Sequence, residues 1–307
     1  MDNEIIVGYD PEHRGDDVLK LGRVLADVLG ARPVVVTAKP WPNQLDDPAT
    51  QQQRVESSLE EAFAAAHDEL EDFGVETKAV VSAYTGLTLN DLAEEHESRL
   101  IVLGSSHHGP IGRTLIGDVG ESLMHGAPCA VAVAPRGYGS RRHHALRHIA
   151  VAYDGGEESQ TALATAIGLA GRCHAEITVL AVADYPHYGY GTTYMVLTAG
   201  EVSDPGRQEK RRQLETAAGR IPAGIPHETR LLIGKAGREL ADISGDFDLM
   251  IAGSRAYGPV RRTLLGSTTR KLMRSAACPV LVLPRGAGPD PLGVDAGRVA
   301  AGADSHG

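Results

Sequence analysis

Short apolar runs alternate along this chain with longer segments in which apolar residues recur at helical spacing. Residues 4–9 form the first apolar run, and residues 16–29 follow with an apolar stripe that ends near Gly30. An apolar run predicts a strand buried on both faces, whereas the spaced pattern predicts an amphipathic helix. The stripe of this first helix consists of Val18, Leu21, Leu25 and Val28.

The same alternation continues to residue 284. Further strands are predicted at 34–36, 77–81, 100–103, 131–134, 149–154, 177–181, 229–233, 249–252 and 280–283, and helices at 55–70, 88–97, 207–220 and 238–244. Apolar strands that alternate with helices indicate a parallel sheet covered on both faces. Because such crossovers are right-handed, they give a doubly wound α/β fold that binds ligands at the carboxyl ends of its strands.

An internal repeat divides the chain into two similar halves. A length of 307 residues suits two domains of roughly 150 residues, each able to bury a core. We predict domains at 1–138 and 148–286, a basic linker at 139–147 that is a solvated tether, and a disordered tail at 287–307. Residues Gly104, Ser105, Gly109, Pro110, Arg113, Gly117, Leu123, Cys129 and Pro135 recur at Gly253, Ser254, Gly258, Pro259, Arg262, Gly266, Leu272, Cys278 and Pro284.

Charge and cysteine content narrow the class of protein. A net charge of −10 argues against a general nucleic-acid binder, which needs a basic face. Three cysteines do not indicate a disulfide framework and fit a reducing compartment. The first residues lack the features of a signal peptide, and no segment reaches the roughly 20 apolar residues of a membrane span. We therefore expect a cytoplasmic protein that contacts neither membrane nor nucleic acid.

Candidate chemistry lies between residues 248 and 286. The apolar strand 249–252 ends at Gly253 and Ser254, and thirteen residues after Gly253 a second glycine, Gly266, opens a helical segment. Loop amides after a strand and the free N–H groups of a helix N-terminus together form a nest suited to a phosphate. Glycine lets the backbone approach such a ligand closely.

This glycine spacing, with the apolar run 280–283 behind it, resembles the signature of the universal stress protein family. Ala256 stands where the family pattern has a third glycine. The resemblance covers both halves, as two universal stress protein domains in tandem. It implies that each domain is Rossmann-like, of the adenine nucleotide alpha hydrolase-like type, with a five-stranded parallel sheet and helices on both faces.

The resemblance also implies an ATP site, with Mg²⁺ carried by the nucleotide, in the second half. Asp154 would accept ribose hydroxyls, the backbone of Val182 would hold adenine, and the two glycine turns would cradle phosphates. The alternative for Asp154 is a helix N-cap or turn residue, a common role for Asp. The predicted binding residues are Ala152, Asp154, Val182, Gly253, Ser254, Arg255, Ala256, Gly258, Gly266, Ser267 and Thr268.

The first half retains a weaker version of this site. His107 replaces the middle glycine, and Asp118 stands where Ser or Thr follows the second glycine, which adds charge repulsion against a phosphate. Arg113 alone supplies positive charge around the first loop, whereas Arg255, Arg261 and Arg262 surround the second. We therefore predict an impaired first site, formed by Gly8, Asp10, Ala38, Gly104, Ser105, Gly109, Gly117 and Asp118.

The resemblance implies an ATP-dependent regulator or sensor of stress and names no substrate. The alternatives are a nucleotide-free interaction scaffold and a slow ATPase, since no catalytic constellation and no metal-ligand set stands out. The last strands, 131–134 and 280–283, are apolar sheet edges that invite pairing. We predict that they are antiparallel neighbours, which makes the chain an intrachain pseudo-dimer that has the option of forming a homodimer.

Overall fold

The computed structural model describes residues 3–10, 15–39, 63–82, 84–106, 111–141, 144–184, 205–254 and 266–294. The first half consists of β1 (Glu4–Gly8), α1 (Asp16–Leu29), β2 (Arg32–Lys39), α2 (described over 63–69), β3 (Glu76–Val81), α3 (Thr85–Glu95), β4 (Leu100–Gly104), α4 (Asp118–Met124) and β5 (Ala130–Ala134). The second half consists of β6 (His148–Ala152), α5 (Glu157–Cys173), β7 (Glu176–Ala183), α6 (Pro205–Ala218), β8 (His227–Ile233), α7 (Ala236–Ile243), β9 (Leu249–Gly253), α8 (Ser267–Ser275) and β10 (Val280–Leu283).

All ten strands belong to one sheet, in the order β3-β2-β1-β4-β5-β10-β9-β6-β7-β8. Within each half the five strands are parallel, as predicted, and the halves meet where β5 and β10 pair antiparallel, with Val131 opposite Val282. The predicted pairing of the last strands is confirmed. Two tandem doubly wound α/β domains therefore share one continuous sheet.

Helices cover both faces of this sheet. Apolar residues of α1, α2, α5 and α6 form one core with alternate strand residues such as Ile5 and Val7. Residues of α3, α4, α7 and α8 form a second core with the intervening strand residues, such as Ile6. Because successive side chains of a strand point to opposite faces, wholly apolar strands supply both cores. Each core contains residues of both halves.

A loop of the first half caps a helix of the second. The Thr114 hydroxyl donates to the Leu272 carbonyl at 2.7 Å, and the Thr114 N–H donates to the Ala276 carbonyl at 2.7 Å. Ile116 N–H donates to Met273 at 2.9 Å. These carbonyls belong to the last turn of α8 and the residue after it, where helix carbonyls run out of intrahelical donors. The Leu272 carbonyl also accepts the Ala276 N–H at 2.9 Å. Residues 113–116 therefore complete α8 from across the domain boundary.

We expect Thr114→Val to lower the free energy of unfolding by about 0.5–1.5 kcal/mol, the net contribution of one hydrogen bond. Valine matches threonine in shape, but at this fully buried position it removes the hydroxyl donor, and the Leu272 carbonyl keeps only the Ala276 N–H. Urea denaturation followed by circular dichroism measures the loss. Thr161→Val is the matched control, because the Thr161 hydroxyl donates to the Glu157 carbonyl within α5 at a partly exposed position. We expect this substitution to change the free energy of unfolding by less than about 0.5 kcal/mol. Equal effects of the two substitutions would contradict the capping role.

The linker is not the solvated tether that its composition predicts. Tyr138 and Leu146 are each 3% exposed and join the first core. The N–H groups of Gly137 and Gly139 both donate to the Asp17 carboxylate at 2.7 Å. Burial raises the pKa of Tyr138 to about 12, as the largest of several influences. Tyr138, immediately before the linker, and Leu146 within it thus hold this basic segment against the fold.

The tail begins with an ordered segment, contrary to the predicted disorder from residue 287. Leu292 and Val294 are 1% and 3% exposed, and Arg172 of α5 donates to the Gly293 carbonyl at 2.7 Å. A Cβ atom on Gly168 would lie 2.5 Å from the Val294 carbonyl oxygen, so the glycine lets the tail lie directly on α5. Residues 295–307 lie outside the described ranges.

A buried carboxylate at the amino end of β1 makes stability depend on pH. Burial by itself raises the pKa of Glu4, but hydrogen bonds from His96, at 2.7 Å, and Arg32 outweigh it and hold the pKa below its ordinary value of 4.5. A lowered pKa stabilises the fold at pH values above 4.5, and this contribution disappears as the pH falls through the folded-state pKa.

We therefore expect Glu4→Gln to destabilise the protein at pH 7 and to flatten the decline of stability below pH 4.5. Chemical denaturation at a series of pH values measures both effects. Glu95→Gln, at a side chain that is 66% exposed, is the control and is expected to leave the wild-type profile nearly unchanged. An unchanged profile in Glu4→Gln would contradict this account.

Candidate functional site

Three described residues of the predicted second site, Ala152, Val182 and Gly253, lie at or near the carboxyl ends of three adjacent strands. Strand β6 lies between β9 and β7 in the sheet, and Ala152 ends β6 opposite Leu180 of β7. Gly253 ends β9, and Val182 is the second-last residue of β7. From β6 the chain first builds β7 and β8 on one side and then β9 and β10 on the other. This switch point opens a crevice where doubly wound folds bind ligands.

Asp154 lies two residues beyond β6 and forms the turn that leads into α5. One of its carboxylate oxygens accepts the Gly156 N–H at 2.8 Å. This is the turn role that the sequence leaves open as the alternative for Asp154. A carboxylate has two oxygens with several acceptor positions, and this hydrogen bond occupies one of them.

Lys210 of α6 is a residue of this crevice that the sequence reasoning missed. Its Nζ donates to the Asp154 carbonyl at 3.3 Å and to the Gln213 side chain at 3.0 Å. Lys210 lies four and seven residues before Leu214 and Ala217, which are buried in the first core. A lysine at the end of an apolar helical stripe is a signal in the sequence that places a cation beside the sheet.

The second glycine turn stands at the start of α8. Gly266 is the N-cap of this helix, with φ −59° and ψ 152°, and the Thr269 hydroxyl donates to the Gly253 carbonyl at 2.9 Å. This bond ties the first turn of α8 to the end of β9. Ser267 is exposed and Thr268 half-buried, so both stand where a ligand at the helix N-terminus has access. Arg255, Ala256 and Gly258 lie outside the described residues.

Gly253 and Ser254 have structural reasons to be small. A Cβ atom on Gly253 would lie 2.5 Å from Cβ of Glu158, so this glycine permits α5 to pack against the end of β9. Ser254 is fully buried, and its N–H donates to the Leu283 carbonyl at 2.9 Å. Its repeat equivalent Ser105 uses the side chain, whose hydroxyl donates to Ala134 at 2.7 Å and accepts the Leu115 N–H at 3.0 Å. Both serines therefore fasten the strand end to its neighbour.

The structure brings the described residues of the first site to the equivalent edge of the first half. Gly8 ends β1, where a Cβ atom would lie 2.8 Å from Leu103, and Asp10 is exposed beyond it. Gly117 is the N-cap of α4 and Asp118 its exposed first residue. Gly104 and Ser105 lie at and just beyond the end of β4, and Ala38 lies in β2. Gly109 lies outside the described residues.

Arg113 does not serve the first loop as its position in the sequence predicts. Its guanidinium donates to the Ser275 carbonyl at 2.9 Å and to the Ala241 carbonyl at 3.2 Å. Both acceptors belong to helices of the second half. The arginine therefore contributes its charge to the C-terminal end of α8, where a cation is favourable, and not to a phosphate of the first half.

The two candidate phosphate turns differ in the charge of the helix that each one opens. The first turn of α4 contains Asp118 and Glu121, whereas the first turn of α8 contains no acidic residue. A helix N-terminus carries partial positive charge that favours an anion. Acidic side chains at the start of α4 already satisfy that preference, so α8 is the better site for a phosphate.

Other chemistry is sparse in the described part of the chain. Among these residues no group of three or more His, Cys, Asp or Glu side chains converges as a metal site requires. Burial raises the pKa of Cys129 and of Cys278 to about 12, which keeps both thiols protonated and unreactive. None of the helices in the described ranges is long and apolar enough to cross a membrane.

Comparison with known proteins assigns both halves to one family. The model of the universal stress protein family matches residues 1–135 and again residues 145–284. A universal stress protein of Mycobacterium tuberculosis is 28% identical over 200 residues, which cover 64% of this chain and 68% of the relative. One of Mycolicibacterium smegmatis is 25% identical over 293 residues, covering 91% and 96%. The crystal structure of a universal stress protein from Archaeoglobus fulgidus has a TM-score of 0.65 at 18% identity, covering 93% of this chain and 100% of that chain, and so has the same fold.

Proposed function

This chain belongs to the universal stress protein family, and on that premise we propose that it binds ATP, mainly in its second half, as a cytoplasmic regulator or sensor of stress. The observation that carries the proposal is the acid-free N-terminus of α8 beside the strand ends that hold Gly253 and Asp154. The crevice there is a switch point with hydrogen-bond acceptors, a lysine and free helix N–H groups.

The phosphates and the ribose of the nucleotide each have a matching group. The N–H groups of the first turn of α8 suit the phosphates, and the Asp154 carboxylate just beyond β6, as an acceptor of hydrogen bonds, suits a ribose hydroxyl. The charge of Lys210, beside the Asp154 carbonyl, favours an anionic ligand in the crevice. Mg²⁺ bound to the nucleotide would neutralise part of the phosphate charge, and we assign no residue as its ligand. No catalytic role is assigned to any side chain.

One observation favours the nucleotide-free scaffold as the second candidate. The Asp154 carboxylate already has a structural role, because it accepts the Gly156 N–H at the start of α5. The turn role alone would account for an aspartate at this position, without a bound nucleotide. The experiment must therefore change the charge of Asp154 without removing the turn.

Asp154→Asn meets this requirement, since the amide oxygen of asparagine still accepts the Gly156 N–H. Titration calorimetry of Mg-ATP into the wild type should show one strong site, which Asp154→Asn weakens tenfold or more because a charge-assisted hydrogen bond contributes roughly 1.5–3 kcal/mol. Asp10→Asn is the matched control in the first half and should leave the strong site intact. Loss of the strong site with Asp10→Asn alone would reverse the assignment, and absence of binding in all three proteins would favour the scaffold.

A further inference from the structure

One face of the ten-stranded sheet is divided by charge. This face is covered by α3 and α4 from the first half and by α7 and α8 from the second. Helices α3 and α4 carry Asp91, Glu94, Glu95, Asp118 and Glu121 and no lysine or arginine. Helices α7 and α8, with the residue before α7, carry Lys235, Arg238, Arg270, Lys271 and Arg274 against Glu239 and Asp242. We call these the acidic half and the basic half of the face.

The charged side chains of both halves point to solvent. Asp91, Glu94, Glu95 and Asp118 are exposed, and so are the five cations of the basic half. Some charges already have partners in the chain: Glu95 lies 3.5 Å from Lys78, Arg238 lies 3.5 Å from Asp242, and Glu121 pairs with Arg274 at the boundary between the halves. These pairs involve exposed or partly exposed side chains, and such pairs contribute little. The opposite charges of the two halves therefore remain available to a partner.

The acidic half also exposes apolar side chains. Tyr84 is 71% exposed, Leu87 50% and Val119 42%. A Cβ atom on Gly86 would lie 2.6 Å from the Val119 carbonyl oxygen, so α3 crosses α4 at this point. The exposed residues Tyr84, Leu87 and Val119 flank the crossing and form the apolar patch of this half. In the basic half, the residues at the equivalent positions around Gly237 are Lys235, Arg238 and Thr268. The exposed apolar patch thus belongs to one half of the face.

We propose that this face binds a second copy of the chain, with the acidic half of each copy on the basic half of the other. The antiparallel pair β5 and β10 relates the two domains by an approximate twofold axis perpendicular to the sheet. A second twofold axis, parallel to the strands, turns one sheet over onto another and superposes unlike halves. Such an interface is isologous, so each complementary contact occurs twice. The assembly also covers Tyr84, Leu87 and Val119.

Charge complementarity favours a second copy over an extended polyanion. A polyanion on the basic half would meet the acidic half of the same face, on a chain whose net charge is −10. A second copy brings opposite charge to both halves. This inference does not depend on nucleotide binding, since it uses the exposed surfaces of α3, α4, α7 and α8.

Sedimentation velocity of the full chain without nucleotide tests the proposal. We expect a dimer that weakens as salt rises from about 0.05 M to about 0.5 M. The double substitution Arg238→Glu with Lys271→Glu should weaken it about tenfold or more, and so should Asp91→Lys with Glu94→Lys. The protein with all four substitutions should regain much of the affinity, because the charges are exchanged across the interface. All substituted side chains are exposed, and melting curves verify the fold.

The proposal is overturned by a wild type that stays monomeric at low salt, or by four substitutions that weaken the dimer no less than two. Binding of heparin, used as a polyanion probe, by a monomeric wild type and its loss in Arg238→Glu with Lys271→Glu would assign the basic half to a polyanion instead. Weakening of the dimer by Leu87→Ser would support the part played by the apolar patch.

Discussion

Replacing Leu281 with alanine is expected to destabilise both halves of the chain together, by about 2–5 kcal/mol. Leu281 is fully buried in β10, opposite Ala132 of β5 at the junction of the two domains. It belongs to a core that contains side chains of both halves. A cavity at this position removes contacts from both domains, so we expect one cooperative transition at a lower urea concentration.

Circular dichroism and hydrogen exchange resolved by segment measure whether the halves unfold together. Leu87→Ala serves as the control, because this leucine is 50% exposed and its loss should change the free energy of unfolding by less than about 0.5 kcal/mol. If Leu281→Ala lowered the stability of the second half while the first half unfolded as in the wild type, the two domains would be independent.

The second large effect is expected for Gly266→Glu, which should lower the affinity for Mg-ATP by two to three orders of magnitude. A carboxylate about 4 Å from a phosphate charge costs about 4 kcal/mol at the dielectric of a protein surface. Stability without ligand should change little. The φ of −59° and ψ of 152° at this N-cap are open to any residue, so the backbone does not need glycine here.

Gly266→Gln separates charge from bulk, since glutamine has nearly the shape of glutamate. We expect glutamine to weaken binding less than glutamate, and calorimetric titration of both variants gives the difference. Unchanged affinity in Gly266→Glu would show that the phosphates do not bind at the start of α8. A lowered melting temperature without ligand would show instead that the glycine has a structural role.

The alternation of apolar runs and helical stripes was sufficient to predict the architecture. The first helix was predicted at 16–29 and has those bounds, because Gly30 adopts the left-handed φ of 59° that ends it. Helix α3 begins at Thr85, three residues before the predicted start, since its first turn includes Gly86 and lacks a clear apolar signal. The spacing of apolar residues and the positions of glycines thus predict where an element lies better than they predict its first and last residues.

The pattern of apolar and polar residues does not predict contacts between distant parts of the chain. Thr114 and Leu272 are separated by 158 residues, and nothing in their local sequence indicates that one caps the helix of the other. Arg113 was assigned to a phosphate loop for the same reason, whereas it binds carbonyl groups of the second half. Tyr138 and Leu146 are buried although basic residues surround them, and composition alone does not distinguish such a docked segment from a solvated one.

The candidate site was located by the repeat and by the rule that ligands bind at the carboxyl ends of strands. The predicted convergence of the ends of β6, β7 and β9 is present. Lys210 is outside the pattern of glycines and acids that predicts the site, because it belongs to the helix that covers the crevice. The binding roles themselves remain predictions, and residues 255–265 lie outside the described chain.

The ion pair between Glu121 and Arg274 shows what joining the two domains in one chain makes possible. By the repeat, their equivalents are Arg270 and His125, so the mirrored contact across the pseudo-twofold axis has no acid. Two identical subunits would have to present the same residue on both sides of the axis and could not form a single-sided pair. Because the two halves are linked in one chain, the junction does not have to be self-complementary. The two halves can therefore differ in sequence: the first half caps α8, and the second half has a helix whose first turn lacks acidic residues.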